Sequence, residues 1–375
     1  MVNPHKFRTI QDMEQYYYGT ASYLLKADAP ITSTTTGHAN AVAGAFAWTQ
    51  FNREASLFGA LPKYPHTHTD IRFTTVRAAT SGGGVTETAA LPDSIKPTRA
   101  TAAPTIKTMA HMFEVTEIQE FLVTETRDDN FGSIDQSRAD TAEHHKEMIN
   151  VAMTTDFDTL ASNNFESIDR ITASTSETTG VGATADDENI YGIDRSANSW
   201  ADATSLHASN VDRPITFTLL NNLFFNVRQA GGNPTFLVTG HDTYAKIQGL
   251  FLSLNRYTPL GEAKATFDVN GVSTATGLEY GENVATVNGK PLILSKDVIK
   301  DGISRIYSLD TSDPGSSGEP RLGFRVALPT QYFEAGTNTG NPFAIDKLAT
   351  QGLFRTTGEL ICQFFAAQGK LRDLQ

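Results

Sequence analysis

Residues 80–98, TSGGGVTETAALPDSIKPT, lie between two segments that both read as β-strands, DIRFTTVRAA and RATAAPTIKTMAHMFEV. Hairpin loops usually hold about two to five residues. A connection of roughly twenty is normally either functional or disordered. Its large aliphatics are Val85, Leu91 and Ile95, too few to form a core of their own. A hairpin this long buries little inside its own subunit, so any fold that keeps it ordered must bury it against something else. The run Gly82-Gly83-Gly84 does not make it a phosphate loop. VTETAALPDS follows, with no lysine placed to reach a phosphate, and the glycines read as flexibility.

The bulk numbers leave room for about two folded units in 375 residues. Hydrophobic residues at 39% and charged residues at 19% suffice for a real core and exclude wholesale disorder. A net charge of −12 argues against broad electrostatic affinity for nucleic acid. Much of that charge is local: Asp156 to Asp202 holds ten Asp or Glu against two Arg and no Lys. An acidic, lysine-poor, threonine-rich surface fits a salt-loving host. Cys362 is the single cysteine, which excludes an internal disulfide and a multi-cysteine metal site. No apolar run approaches about eighteen residues, and MVNPHKFRTIQDMEQYYYG lacks the apolar centre of a signal peptide. The expectation is a cytoplasmic product with no membrane association.

Phe7 to Ala27 has helical spacing, and the weakly periodic residues after it read as an arm. Thr116-Glu-Ile-Gln119 has capping-box spacing and opens a short helix; Ser133-Ile-Asp-Gln136 is a second such box. Beyond it Ala142, His145, Ile149, Ala152 or Met153, Phe157 and Leu160 recur every three or four residues, which predicts one helix over 133–162, about 40 Å long. TASTSETTGVGATADDEN reads as an exposed loop. Then come a helix in PITFTLLNNLFFNVRQAGG stopped by Gly231-Gly232, a buried strand NPTFLVTG, and a helix HDTYAKIQGLF with Asp242 placed to cap it. Asn288-Gly289 signals a hairpin. SRIYSLD, EPRLGFRVAL and GLFRTTGELICQFFAAQ are late strands, so the layout is α+β.

Catalytic chemistry is hard to find. Nucleotide-binding and hydrolase motifs are absent, and no cofactor is expected. His66-Thr-His68-Thr-Asp70 would put three metal ligands on one face of a strand, yet such pairs of histidines are more often polar surface. His144-His145 with Glu147 is not H-E-x-x-H, and adjacent helical side chains do not share a face.

The order of these elements closely resembles the major capsid proteins of tailed double-stranded DNA viruses, with the Hong Kong 97-like fold. ETAALPDSIKPTRATAAPTIKTMAHMFEVTEIQEFL, Glu87 to Leu122, looks like that family's run from loop tip to small helix. YGIDRSANSW, TFLVTGHDTYAKIQGL and NGKPLILSKDV resemble its later segments. The resemblance implies an N-terminal arm (1–50) and an extended loop (66–106). It implies a peripheral domain (51–65 and 107–210) with a spine helix at 133–162. An axial domain (211–320) and return strands (321–375) complete the series. Val85, Glu87, Leu91, Asp93, Ile95, Lys96 and Arg99 would then touch a neighbouring subunit. The implied partners are copies of the chain in hexamers and pentamers, a scaffolding protein, a portal, decoration proteins and packaged double-stranded DNA. No long scaffolding extension precedes the arm, which implies a separate scaffold or a processed chain. Residues 165–189 look like extra sequence. Lys96 with Asn338 or Asn341 is where a family cross-link would lie, but the spacing does not fit and none is expected. An encapsulin-type shell shares the fold, and a metal-dependent enzyme using His66, His68 and Asp70 is the rival of another class.

Overall fold

A computed structural model describes residues 56–66, 70–76, 86–88, 97–126, 132–183, 189–254, 286–313, 319–336 and 347–375. The helix Ser56–Ala60 (α1) and the strand Lys63–Pro65 (β1) precede the base of the long hairpin, Ile71–Val76 (β2) and Thr98–Ala102 (β3). These two strands pair antiparallel from Ile71↔Ala102 to Val76↔Thr98, with an irregularity between Thr74 and Val76. Alternation sets their burial. Ile71, Phe73 and Ala102 point into the core, while Arg72, Thr74, Thr101 and Arg99 face out.

Next come Lys107–Thr116 (β4), Glu117–Thr126 (α2) and Ile134–Thr154 (α3). The N-cap half of each box forms: the Gln119 N–H donates to Thr116 Oγ1 at 3.4 Å, and the Gln136 N–H to Ser133 Oγ at 3.1 Å, while the Gln136 side-chain amide donates to Asp140. The expected helix over 133–162 is shorter than its periodicity implied. α3 has 21 residues and is about 32 Å long. Side-chain hydroxyls end it, without Gly or Pro. Thr154 Oγ1 donates to the Asn150 carbonyl (3.0 Å) and Thr155 Oγ1 to that of Val151 (2.8 Å), competing with the helical ladder. The Phe157 N–H then turns to Asp169 Oδ2, 3.2 Å away. Phe157 is buried, as its spacing suggested, but from a turn.

The segment expected to be an exposed loop is buried at Thr172, Ala173, Ser174, Glu177 and Thr178, while Ser176, Thr179, Gly180 and Gly182 are exposed and 184–188 lie outside the described residues. Ile168–Ile171 (α4) and Thr175–Val181 (α5) are short helices whose N-caps, Ser167 and Ser174, accept from the N–H of Arg170 and Glu177. Ile168, Ile171, Thr172, Ala173, Glu177 and Thr178 are each fully buried. Asn189–Ile190 (β5) and Ile193–Asp194 (β6) form a small ribbon, followed by Thr204–Leu206 (β7).

Phe217–Gln229 (α6) is capped by Thr216 and buries Leu220, Leu223, Phe224 and Val227 on one side. Phe236–Thr239 (β8) is buried throughout, as a central strand should be. His241–Leu254 (α7) starts one residue before Asp242, so this carboxylate lies inside the first turn and does not cap from outside. It accepts from the Thr243 N–H (2.9 Å) and from Ser304 Oγ (2.5 Å). Thr286–Val287 (β9) and Lys290–Leu294 (β10) join through Asn288 and Gly289, both at positive φ (50° and 71°), the conformation a tight two-residue hairpin turn requires. Ile306–Leu309 (β11), Leu322–Gly336 (β12), Ala349–Cys362 (β13) and Gly369–Leu371 (β14) complete the described strands.

Besides the β2–β3 and β5–β6 pairs, the described residues form two larger sheets, one of four strands in the order β1-β12-β13-β4 and one of six in the order β7-β14-β11-β8-β10-β9. The chain divides into two compact units. One holds Ala110–Lys146 and Thr330–Thr356, with a core of Phe113, Val115 and Ile134 against Tyr332 and Phe354. The other holds Glu54–Met109, Glu147–Pro329 and Thr357–Gln375. Its larger core centres on Leu57, Phe73, Phe165, Phe324 and Phe365, and a second cluster packs α6 on the six-stranded sheet. No helix among the described residues is long and apolar enough to cross a membrane.

Candidate functional site

The hairpin base is anchored. Phe73 packs on Trp200 with ring centroids 5.0 Å apart and on Phe365 at 5.7 Å. Of the residues expected to touch a neighbour, Arg99 lies in β3 and Glu87 in a turn, and both are exposed. Val85, Leu91, Asp93, Ile95 and Lys96 lie outside the described residues, as do Asn338 and Asn341. Large apolar side chains stand exposed on both units. Met112, Phe121, Phe333 and Leu348 do so on the first, and Val211, Phe225 and Leu328 on the second.

His66 and Asp70 do not share a strand face. His66 follows the end of β1, its N–H donating to the Val326 carbonyl at 2.9 Å, and Asp70 is exposed just before β2. His68 lies outside the described residues. Among the described residues no group of three or more His, Cys, Asp or Glu is arranged to hold a metal ion.

The densest chemistry in the second unit is a buried set of charges that the sequence reading missed. Asp169, Glu177 and Lys370 are each fully buried, and Lys370 Nζ lies 3.0 Å from Asp169 Oδ1 and 2.6 Å from Glu177 Oε1. Arg372 reaches Glu177 at 2.9 Å and Asp373 at 3.0 Å. Arg305 pairs with Asp169 (3.0 Å), Asp156 (2.9 Å) and Asp301 (2.8 Å), and Tyr307 donates to Asp169 at 2.9 Å. Burial alone would raise the Asp169 carboxyl. Lys370 and Arg305 outweigh it and hold Asp169 well below the usual range. Burial, with the Asp169 charge beside it, pushes Asp156 up to about 6. The acidic stretch is thus partly interior, since Glu166, Asp169 and Glu177 are buried. It does not form the uniform charged surface that its composition suggested. The one sequence signal was the alternation in GKLRDLQ, where Lys370 and Arg372, on either side of Leu371, both reach Glu177.

A second buried carboxylate gives a testable pH dependence. Glu359 Oε1 accepts from the N–H groups of Glu166 (2.6 Å) and Leu360 (2.9 Å), and Lys107 Nζ is 3.2 Å from Oε2. Burial pushes its carboxyl up to about 7 against the opposing pull of Lys107. The folded value exceeds the unfolded one, so the contribution is fully present at low pH and is lost as pH rises through about 7. The wild type should lose up to about 3 kcal/mol between about pH 4.5 and about pH 7.5 from this group. Glu359→Gln keeps the accepting oxygen and should show a flatter profile in urea denaturation. Parallel profiles would refute the assignment.

No family model and no curated protein matches the sequence. Solved structures share its fold. The subunit of the cyanophage A-1(L) capsid asymmetric unit superposes with a TM-score of 0.57 at 14% identity, covering 88% of this chain and 96% of its own. The capsid of a native GTA particle gives 0.52 at 12% identity, over 96% and 99%. The encapsulin of the holo-SrpI complex from Synechococcus elongatus PCC 7942 gives 0.51 at 12% identity, over 99% and 96%. The chain has the Hong Kong 97-like capsid-protein fold that the order of its sequence elements resembled.

Proposed function

We propose that this chain is a major capsid protein that self-assembles into hexamers and pentamers of an icosahedral shell enclosing viral double-stranded DNA. The observation that carries this reading is the near end-to-end likeness to the cyanophage and GTA-particle capsid subunits, which leaves little of either chain unmatched. The hairpin supports it, since its base is anchored by Phe73 and the roughly twenty residues joining its strands carry too few large aliphatics in sequence for a core of their own. The exposed Met112, Phe121, Phe333, Val211 and Phe225 are apolar area that subunit contacts would cover. On this reading 66–106 serves as the extended loop. Residues 51–65, 107–210 and 321–375 serve as the peripheral domain, and 211–320 as the axial domain. A scaffolding protein and a portal are the expected assembly partners, and the work of the chain is structural.

The encapsulin match favours a second reading, a protein compartment built on the same fold around a packaged protein. One experiment addresses both. The chain is expressed alone and with its neighbouring open reading frames, and the product is viewed by electron microscopy after sedimentation. Closed shells holding nuclease-resistant DNA support the capsid reading. Shells carrying a stoichiometric protein and no DNA support the compartment. A protein that stays monomeric under every condition overturns both.

A further inference from the structure

Three histidines cluster among the described residues of the first unit. His111 on β4 and His145 on α3 face each other with their Nδ1 atoms 2.8 Å apart, and the His144 ring stands edge-on to His111 at 5.2 Å. His145 is 1% exposed. Its Nε2 lies 2.7 Å from Thr356 Oγ1 on β13, which lies 2.7 Å from Thr330 Oγ1 on β12. One hydrogen-bonded chain therefore joins the helix to three strands, with Phe354 beside the His145 ring at 6.4 Å.

A bond between two Nδ1 atoms needs one nitrogen with a hydrogen and one without. A neutral pair satisfies this, and so does a singly protonated pair. A second proton puts an N–H on both nitrogens, and the bond becomes a contact between two cations. The surrounding charges have partners of their own. Arg138 lies with Asp135 and Glu334, Lys347 with Glu114, Arg355 with Gln331, and Asp140 with Gln136. Glu143 is half-buried and Lys146 exposed on the flanking helix. The groups acting on His145 are its own burial, then His111 and His144, which together bring it down to about 4. Burial and His144 also lower His111.

We propose that the His111–His145 pair is an acid-sensitive latch, holding α3 to β4 at neutral pH and releasing it when both rings take up protons. Each ring regains its ordinary value, about 6.5, once released. The folded values lie below it, so the latch is fully effective above about 6.5 and fails as pH falls. Opening takes up as many as two protons and is favoured by up to roughly a hundredfold per pH unit within that window.

Hydrogen exchange on the full chain between about pH 7.5 and about pH 4.5, corrected for intrinsic exchange chemistry, tests this whether or not shells form. Peptides covering 110–116 and 134–146 should open at least about tenfold more per pH unit below about 6, while β8 does not. His145→Gln and His111→Gln should each flatten that rise, and if one fails to fold the other carries the comparison. Protection of the wild type unchanged to about pH 4.5, or the same rise in a folded variant, would overturn the latch.

Discussion

Asp169→Ala lowers the stability of the folded chain by about 3–5 kcal/mol, the usual cost of breaking a buried ion pair from one side. Asp169 lies at the centre of the set. It accepts from the Phe157 N–H and the Tyr307 hydroxyl and stands between Lys370 and Arg305. Truncation takes the acceptor from the Phe157 N–H and the Tyr307 hydroxyl and leaves Lys370, which has no exposed surface, with the Glu177 carboxylate and Arg305 with Asp156 and Asp301. Asp169→Asn keeps one accepting oxygen and should fall between wild type and alanine. The denaturant midpoint in urea measures the loss, with an unchanged slope showing that the same surface is still exposed on unfolding. A loss under about 1 kcal/mol would mean that the set is solvated like a surface pair.

On the capsid reading, excising Ser81–Pro97 in favour of a short Gly-Ser linker should leave the fold intact and abolish shells. The residues that bury the hairpin lie outside the cut. Ile71, Phe73 and Ala102 sit in the core, and the pairing from Ile71↔Ala102 to Val76↔Thr98 is complete without the removed segment. Within the cut, Val85, Leu91 and Ile95 would each contribute about 1.5–3 kcal/mol if buried on a neighbour, repeated at every contact of the shell. Charges such as Glu87 and, at its edge, Arg99 would set specificity at under about 1 kcal/mol each. Circular dichroism should stay folded while sedimentation shifts from shells to capsomers or monomers. Closed shells from the excised chain would refute the lapping role without touching the fold.

What was legible in the sequence is what local chemistry decides. Thr116 and Ser133 cap because their hydroxyls meet N–H groups three residues on, and Asn288-Gly289 turns because both accept positive φ. The acidic stretch misled because composition does not distinguish a solvated carboxylate from a paired one. The partner of Asp169 lies 201 positions along the chain and that of Glu177 lies 195. The end of α3 was hidden for a related reason. Threonine is unremarkable inside a helical pattern until its hydroxyl takes a carbonyl. His66 and Asp70 shared a period but no strand, since β1 stops at Pro65 and β2 starts at Ile71.

The place of β14 in the six-stranded sheet also sets an order in time. It pairs with β7 on one side and β11 on the other, so these two strands meet only through residues 369–371. A ribosome must deliver Leu371 before that sheet can close, and Arg372 before Glu177 has its full set of partners. Until then β7 and β11 present unpaired edges, the feature that templates aggregation during synthesis. Pairings this distant form slowly. Nascent chains of this protein should therefore depend on chaperones until residues 369–372 emerge, and a chain interrupted before residue 369 should be degraded or insoluble.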